Sequence, residues 1–227
     1  MPAAISDPYA TSIEYRSELR KTDDGDDADV EADLLAVSRW LDRKLGRFFT
    51  KDATPQPRLF YPRVLARSAG LPMNWAETEN PWRWGGYARV LHVDDMATVP
   101  TSIVIDEDGD GLFLDPPLLA SDYELYPPNA PAGPEPWPYT ALVLSINSQR
   151  FGFQANTRVQ IMAQWGWPQI PEPIKAFTIE ATAVWRLESV RATSRMNEME
   201  QVISTSRTAN NMLEELVRHY TKVEALL

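Results

Sequence analysis

A chain of 227 residues with 44% hydrophobic and 24% charged residues is too apolar for a disordered segment, and its length fits two small domains as well as one core carrying extensions, the favoured reading. The net charge of −10 argues against a DNA-wrapping protein, which needs clustered Lys and Arg, and the lack of cysteine excludes disulfides, thiolate metal sites and cysteine nucleophiles. No apolar run reaches the roughly eighteen residues a bilayer span requires, and MPAAISDPYATSIEY lacks the basic and apolar regions of a signal peptide, so a cytoplasm is the expected place of synthesis.

The first expected element is a short helix over Ala10–Lys21, where Ile13, Tyr15, Arg16 and Leu19 mix apolar and charged positions before TDDGDDAD, with Gly25, ends it. A clearer helix follows: Leu34, Val37, Ser38, Leu41, Leu45 and Phe48 recur at three- and four-residue steps. Acids crowd its start and Arg43, Lys44 and Arg47 its end, as the helix dipole favours. Beyond Thr50, Pro55, Pro57, Pro62, Pro72 and Pro81 break every helical option, and Gly85-Gly86 punctuates the Trp-rich NWAETENPWRWGGY. RLFYP, YARVLHVDD, TSIVID and LFL read as strands, and DEDGDG as a hairpin turn joining the last two, because Gly109 and Gly111 permit positive φ.

Asp122 to Tyr126 reads as a further strand, followed by the proline-rich surface loop PPNAPAGPEPWP. YTALVLSI and TRVQIMAQW alternate as a hairpin or as neighbouring strands joined through QRFGF. Past WGWPQIPEP, where Pro171 and Pro173 suit a helix N-terminus, Ile174, Phe177, Ala181, Val184, Trp185 and Glu188 mark a helix from about Glu172 to Val190. RATSRMNEMEQVISTS reads as a polar link, and Ala209, Met212, Leu213, Leu216, Val217, Tyr220, Val223 and Leu227 share one face of a last helix. The fold class is therefore α+β: helices over 1–50 and 169–192 flank a β-rich middle over 51–168 with Pro/Trp-rich loops, followed by a linker and C-terminal helix over 193–227.

Chemistry is sparse in this pattern. The histidines, His92 in a strand and His219 on the last helix, have no glycine elbow or activating motif beside them, so neither reads as a catalytic base. Asp94 and Asp95 point to opposite faces if they lie in a strand, which suits a strand end better than a two-carboxylate hydrolase. Asp106, Asp108, Asp110 and Gly111 match the opening of a calcium loop, but the position of its bidentate Glu falls on Pro117 and the flanks are strands; only weak, incidental metal binding is expected. No glycine-rich phosphate loop is present, so no cofactor is expected. Trp75, Trp82, Trp84, Trp137, Trp165 and Trp167, interleaved with prolines, suit a core or protein contacts better than ligand stacking.

Three segments together resemble the head-to-tail connector, or adaptor, proteins of long-tailed, actinobacteriophage-type bacteriophages. DADVEADLLAVSRWLDRKLGRFF resembles the family's second helix, through Ser38, Trp40, Leu41, Asp42, Gly46, Arg47 and Phe48. LHVDDMATVPTSIVIDEDGDGLFL followed by DYELYPPNA and PYTALVL is similar in order and spacing to its β insertion. TRVQIMAQWGWPQIPEPIKAFTIEATAVW resembles its strand, Trp165-Gly166-Trp167-Pro168 turn, Ile170-Pro171 step and following helix from Ile174-Lys175. The segment from Met73 to Tyr87 and the stretch from Arg207 to Leu227 depart from the pattern.

The resemblance implies that the helices form a helical bundle, with the β middle as its β-strand insertion and the last helix as a C-terminal helical arm. It also implies a non-enzymatic virion protein: a ring beneath the portal, commonly a dodecamer, that joins the portal to a tail-side stopper or head-closure protein in the neck. Genome DNA would pass through without sequence-specific binding, and no membrane is involved. Acidity would then keep phosphate from sticking to a channel wall, or would simply aid solubility. The stripe Met212, Leu213, Leu216, Val217 and Tyr220 is the expected contact with a neighbouring subunit or the portal; the alternative is an ordinary core helix. Other function classes carried forward are a carboxylate-dependent hydrolase with tryptophan sugar platforms and a calcium-dependent binding module.

Overall fold

The computed structural model describes residues 7–22, 24–62, 87–133, 135–146, 148, 152–154, 157–189 and 199–221. The chain divides into two compact units, one of Met1–Thr50 with Gln169–Leu226 and one of Lys51–Pro168. The mixed α+β class expected from the sequence is found, with helices in the first unit and antiparallel strands in the second.

The helical unit begins with α1, Ser12–Leu19. Thr11 caps it in a reciprocal box: the Glu14 amide donates to the Thr11 hydroxyl at 3.2 Å and the Thr11 amide to the Glu14 carboxylate at 2.8 Å, satisfying two otherwise orphaned donors. Tyr15 is the one apolar side chain of α1 that is fully buried. Helix α2, Asp27–Leu45, buries Val30, Leu34, Val37, Leu41 and Leu45, the face its periodicity predicts. It ends at Gly46, whose φ of +65° and amide bond to the Asp42 carbonyl make a left-handed cap; Phe48, placed on the buried face by periodicity alone, lies past this cap and is exposed.

Helix α3, Glu172–Ser189, lies within the expected bounds and buries Ile174, Phe177, Thr178, Ala181 and Thr182. The Phe177 ring stacks 6.3 Å from that of Trp40. The expected polar link contains a helix, α4, Met199–Thr205, which buries Met199 and Ile203 four residues apart. Helix α5, Arg207–Tyr220, is capped by Ser206 and packs on α3, with Tyr220 edge-on to Phe49 at 5.7 Å. Val223 and Leu227 lie outside the described residues.

The β unit contains three antiparallel sheets among the described residues, all built from β1 (Gln56–Phe60), β2 (Tyr87–Ala88), β3 (Val90–Met96), β4 (Ser102–Asp106), β5 (Tyr123–Tyr126), β6 (Tyr139–Leu144), β7 (Phe153–Gln154) and β8 (Arg158–Ala163). They are ordered β1-β8-β4, β3-β6-β5 and β2-β7. Alternation along β8 sends Val159, Ile161 and Ala163 inward. There they join Leu91, Val93, Ile103, Ile105, Leu142 and Trp165 in one core.

Two pairings differ from expectation. Strand β8 pairs with β1 and β4, and β6 with β3 and β5, so YTALVLSI and TRVQIMAQW are not partners. LFL is not a strand: Leu112 and Leu114 are exposed, Phe113 has φ of +52°, and DEDGDG opens a loop instead of turning a hairpin, because β4 takes β8 as its partner. The unit's ends are joined to each other, the Asp52 amide donating to the Trp165 carbonyl at 2.9 Å and the Gln164 amide group to the Asp52 carbonyl at 3.1 Å.

Candidate functional site

The residues that carry the family resemblance in α2 form a buried polar cluster in the helical unit. Ser38 and Asp42 lie on the inward face, one turn apart. The Ser38 hydroxyl donates to the Leu34 carbonyl at 2.7 Å and accepts the Tyr9 amide at 3.0 Å. Tyr9 donates its phenol hydrogen to Asp42 and accepts the Phe49 amide at 3.0 Å, so one side chain ties the segment before α1 to the segment after α2. Arg39 adds an ion pair to Asp42 at 3.1 Å and lies over the Tyr9 ring. Burial pushes the Asp42 carboxyl up to about 6, against the opposing pull of Tyr9, Arg39 and Arg43; burial and the Asp42 charge raise the Tyr9 phenol.

In the β unit Asp94 and Asp95 do face opposite ways. Asp94 receives Arg58 at 2.9 Å, whereas Asp95 is buried and accepts the Trp167 indole hydrogen at 3.2 Å. Trp165 donates to the Gln56 carbonyl at 2.7 Å and Arg58 lies 4.8 Å over its ring; Gly166 between the two tryptophans has φ of +99°. Both indoles are core, and Trp137 packs on Trp167 at 4.8 Å; Trp75, Trp82 and Trp84 lie outside the described residues.

Asp106, at the end of β4, is buried and opposite Arg158 in the β8 register. The guanidinium donates to it at 2.7 and 2.6 Å, the Gly111 amide reaches it at 3.4 Å, and Arg158 also reaches the Gly109 carbonyl at 2.9 Å. Burial alone would raise the Asp106 carboxyl, but the amides of Gly111 and Gly109 and the Arg158 charge together hold it below the usual carboxylate range.

Carboxylate oxygens of Asp106, Asp108 and Asp115 lie within 4.8 Å of one another, so the acid brought to Asp106 and Asp108 is Asp115 and not the expected Asp110. Asp110 instead accepts the Leu112 amide at 2.7 Å. Among the described residues these three are the group that could hold a cation, and Arg158 already supplies one to Asp106 from within the chain. Sequence reasoning missed Arg158, Asp115 and Tyr9, since each meets its partner through a register or turn that no short motif encodes.

His92 and His219 are exposed. Of the stripe expected at an interface, Leu213, Leu216 and Tyr220 are buried in the chain's own helical unit, whereas Met212 is half-buried and Val217 exposed. Helix α5 packs on α3 within the helical unit, and Val217 remains exposed on it.

No protein-family model matches the chain, and no curated protein does. A solved structure described as "Neck of empty GTA particle computed with C6 symmetry" is similar over 86% of this chain and 89% of the matched one, at 14% identity and a TM-score of 0.45.

Proposed function

We propose that this chain is a structural head-to-tail adaptor of a tailed-phage virion: a ring subunit in the neck that binds the portal on one side and a stopper or head-closure protein on the other. The ring, commonly of twelve subunits in the family it resembles, leaves an axial passage for DNA and catalyses nothing. The observation that carries the reading is the use made of the resembling residues in α2. Ser38 and Asp42 spend their polar groups on Tyr9 and, through it, on Phe49. That is architecture, and it supports a scaffold whose segments before α1 and after α2 are tied together.

The connectivity agrees, with a β unit of Lys51–Pro168 inserted between the two chain segments of a helical unit. The carboxylates a hydrolase would need are committed to Arg58, Trp167 and Arg158, which favours the scaffold over that alternative. The test is to purify tailed virions encoding this chain and to locate it by cryo-electron microscopy and mass spectrometry of neck complexes. The expected result is one ring of this chain against the portal; virions whose neck lacks it overturn the proposal.

A further inference from the structure

Four strands lie at the edges of the two three-stranded sheets, β1 and β4 in one, β3 and β5 in the other. An open edge presents unpaired amides and carbonyls that can take up a further strand, so proteins blunt it. Three of the four are blunted here. Strand β1 carries Pro57, and the Ile103 carbonyl of β4 accepts the Leu118 amide at 2.8 Å. Strand β3 breaks register between His92 and Met96, and its Asp95 carbonyl accepts the Gly166 amide at 2.7 Å. Strand β5 has no proline, no lysine and no break in register.

The Ser145 amide donates to the Asp122 carbonyl at 2.8 Å, which fixes the phase of the β5–β6 ladder. Asp122, Glu124 and Tyr126 therefore turn their backbone groups to β6, and Tyr123 and Leu125 turn theirs to the open side. Among the described residues nothing bonds to the amide or carbonyl of Tyr123 or Leu125. Alternation gives this edge two faces: the side chains of Tyr123 and Leu125 are half-buried against the core of the β unit, whereas Glu124 and Tyr126 are exposed.

Charge decides which strand fits. From Val93 to Gln149, 57 residues carry ten Asp and Glu and no Lys, Arg or His, so this segment holds the chain's whole surplus of −10. Asp94 and Asp106 meet arginines from outside the segment, Arg58 and Arg158, but Glu124 has neither hydrogen bond nor ion pair among the described residues. A second copy's β5 would bring carboxylate to carboxylate, which is unfavourable across a strand pair.

We infer that the open edge of β5 takes up an extended basic segment of a partner protein as a further antiparallel strand. Its backbone exchanges bonds with Tyr123 and Leu125, its apolar residues lie beside those two side chains, and a Lys or Arg lies beside Glu124. Main-chain bonds supply the affinity of such a contact and alternate side chains its specificity. The inference does not rest on the adaptor reading.

The test uses the purified full-length chain and a dye-labelled peptide that alternates valine and lysine. Fluorescence anisotropy should show binding that weakens as salt rises. On binding, amide hydrogen exchange should slow over Tyr123–Tyr126. The same peptide N-methylated on its valines keeps its charge and side chains but loses the donors that face β5, and should bind on the order of tenfold more weakly or worse. A peptide alternating valine and glutamate should not bind. Glu124 is exposed, so Glu124→Lys leaves the core intact and should weaken binding of the valine–lysine peptide several-fold.

A valine–lysine peptide that does not bind overturns the inference. So does equal binding of its N-methylated form, which would reduce the contact to charge attraction. Protection outside Tyr123–Tyr126, or unchanged affinity in Glu124→Lys, overturns it as well. The adaptor reading is decided separately, by the location of the chain in the virion.

Discussion

Each unit buries an aspartate, and their surroundings treat them oppositely. In the helical unit Asp42 has a phenol, an ion pair with Arg39 and the charge of Arg43 for company, and burial wins: its carboxyl rises to about 6. In the β unit Asp106 receives both a forked guanidinium and backbone amides, and burial loses: its carboxyl is held low. The lesson is that burial alone does not set the sign of a shift. What decides is whether the neighbours supply enough donors and positive charge to replace the water removed.

The sharpest way to break this contrast is to remove the cation from the β unit. Arg158→Met leaves Asp106 without its guanidinium partner and should lower the urea midpoint of the β unit at neutral pH. A midpoint within error of wild type would mean that the amides suffice.

The next effect is the pH response, where the two units should differ in sign. Folding raises the Asp42 carboxyl from 3.8 to about 6, so the folded helical unit holds that proton more tightly than the unfolded chain does. Asp42 therefore favours the folded state most at pH below 3.8, and this contribution is lost as pH rises through about 6. Asp106 acts the other way: its stabilisation is present above the unfolded value of 3.8 and is lost as pH falls through its lowered folded value.

Asp42→Asn should abolish the helical unit's slope between pH 4 and 6, an effect on the order of 1–2 kcal/mol, while leaving the β unit's acid loss intact. Hydrogen exchange resolved by segment reads the two units separately, and an unchanged slope in the Asn variant would assign it to another group. Smaller still, Thr11→Ala removes the α1 cap and should destabilise the helical unit by about 1 kcal/mol with no change in pH response. Smallest is Lys44→Ala, which deletes the Lys44–Glu200 pair at 2.6 Å; its exposure limits the loss to under about 1 kcal/mol by thermal melting.

Local periodicity made the helices legible, and it failed where stopping signals or distant partners took over. Leu34, Val37, Leu41 and Leu45 announced α2, but the same step carried on to Phe48 because the count ignored Gly46, the residue that ends the helix. Met199 and Ile203, four apart, were a readable mark of α4 hidden in a polar stretch. The strands were visible as segments but not as pairs, since β4 and β8 join residues such as Asp106 and Arg158, 52 positions apart. For the same reason the calcium-like spacing suggested Asp110, whereas the folded loop brings in Asp115 and fills the place beside Asp106 with an arginine. In α5 the sequence marks an apolar stripe but not what covers it: Leu213, Leu216 and Tyr220 are buried within the chain, whereas Val217 stays exposed.

The bond from the Asp52 amide to the Trp165 carbonyl brings the first and last turns of the β unit together. A segment whose ends meet can be removed from a gene and its place closed with a few linker residues, or exchanged for another segment of the same end-to-end span. The β unit thus meets the geometric condition for such an exchange: its two ends leave it side by side.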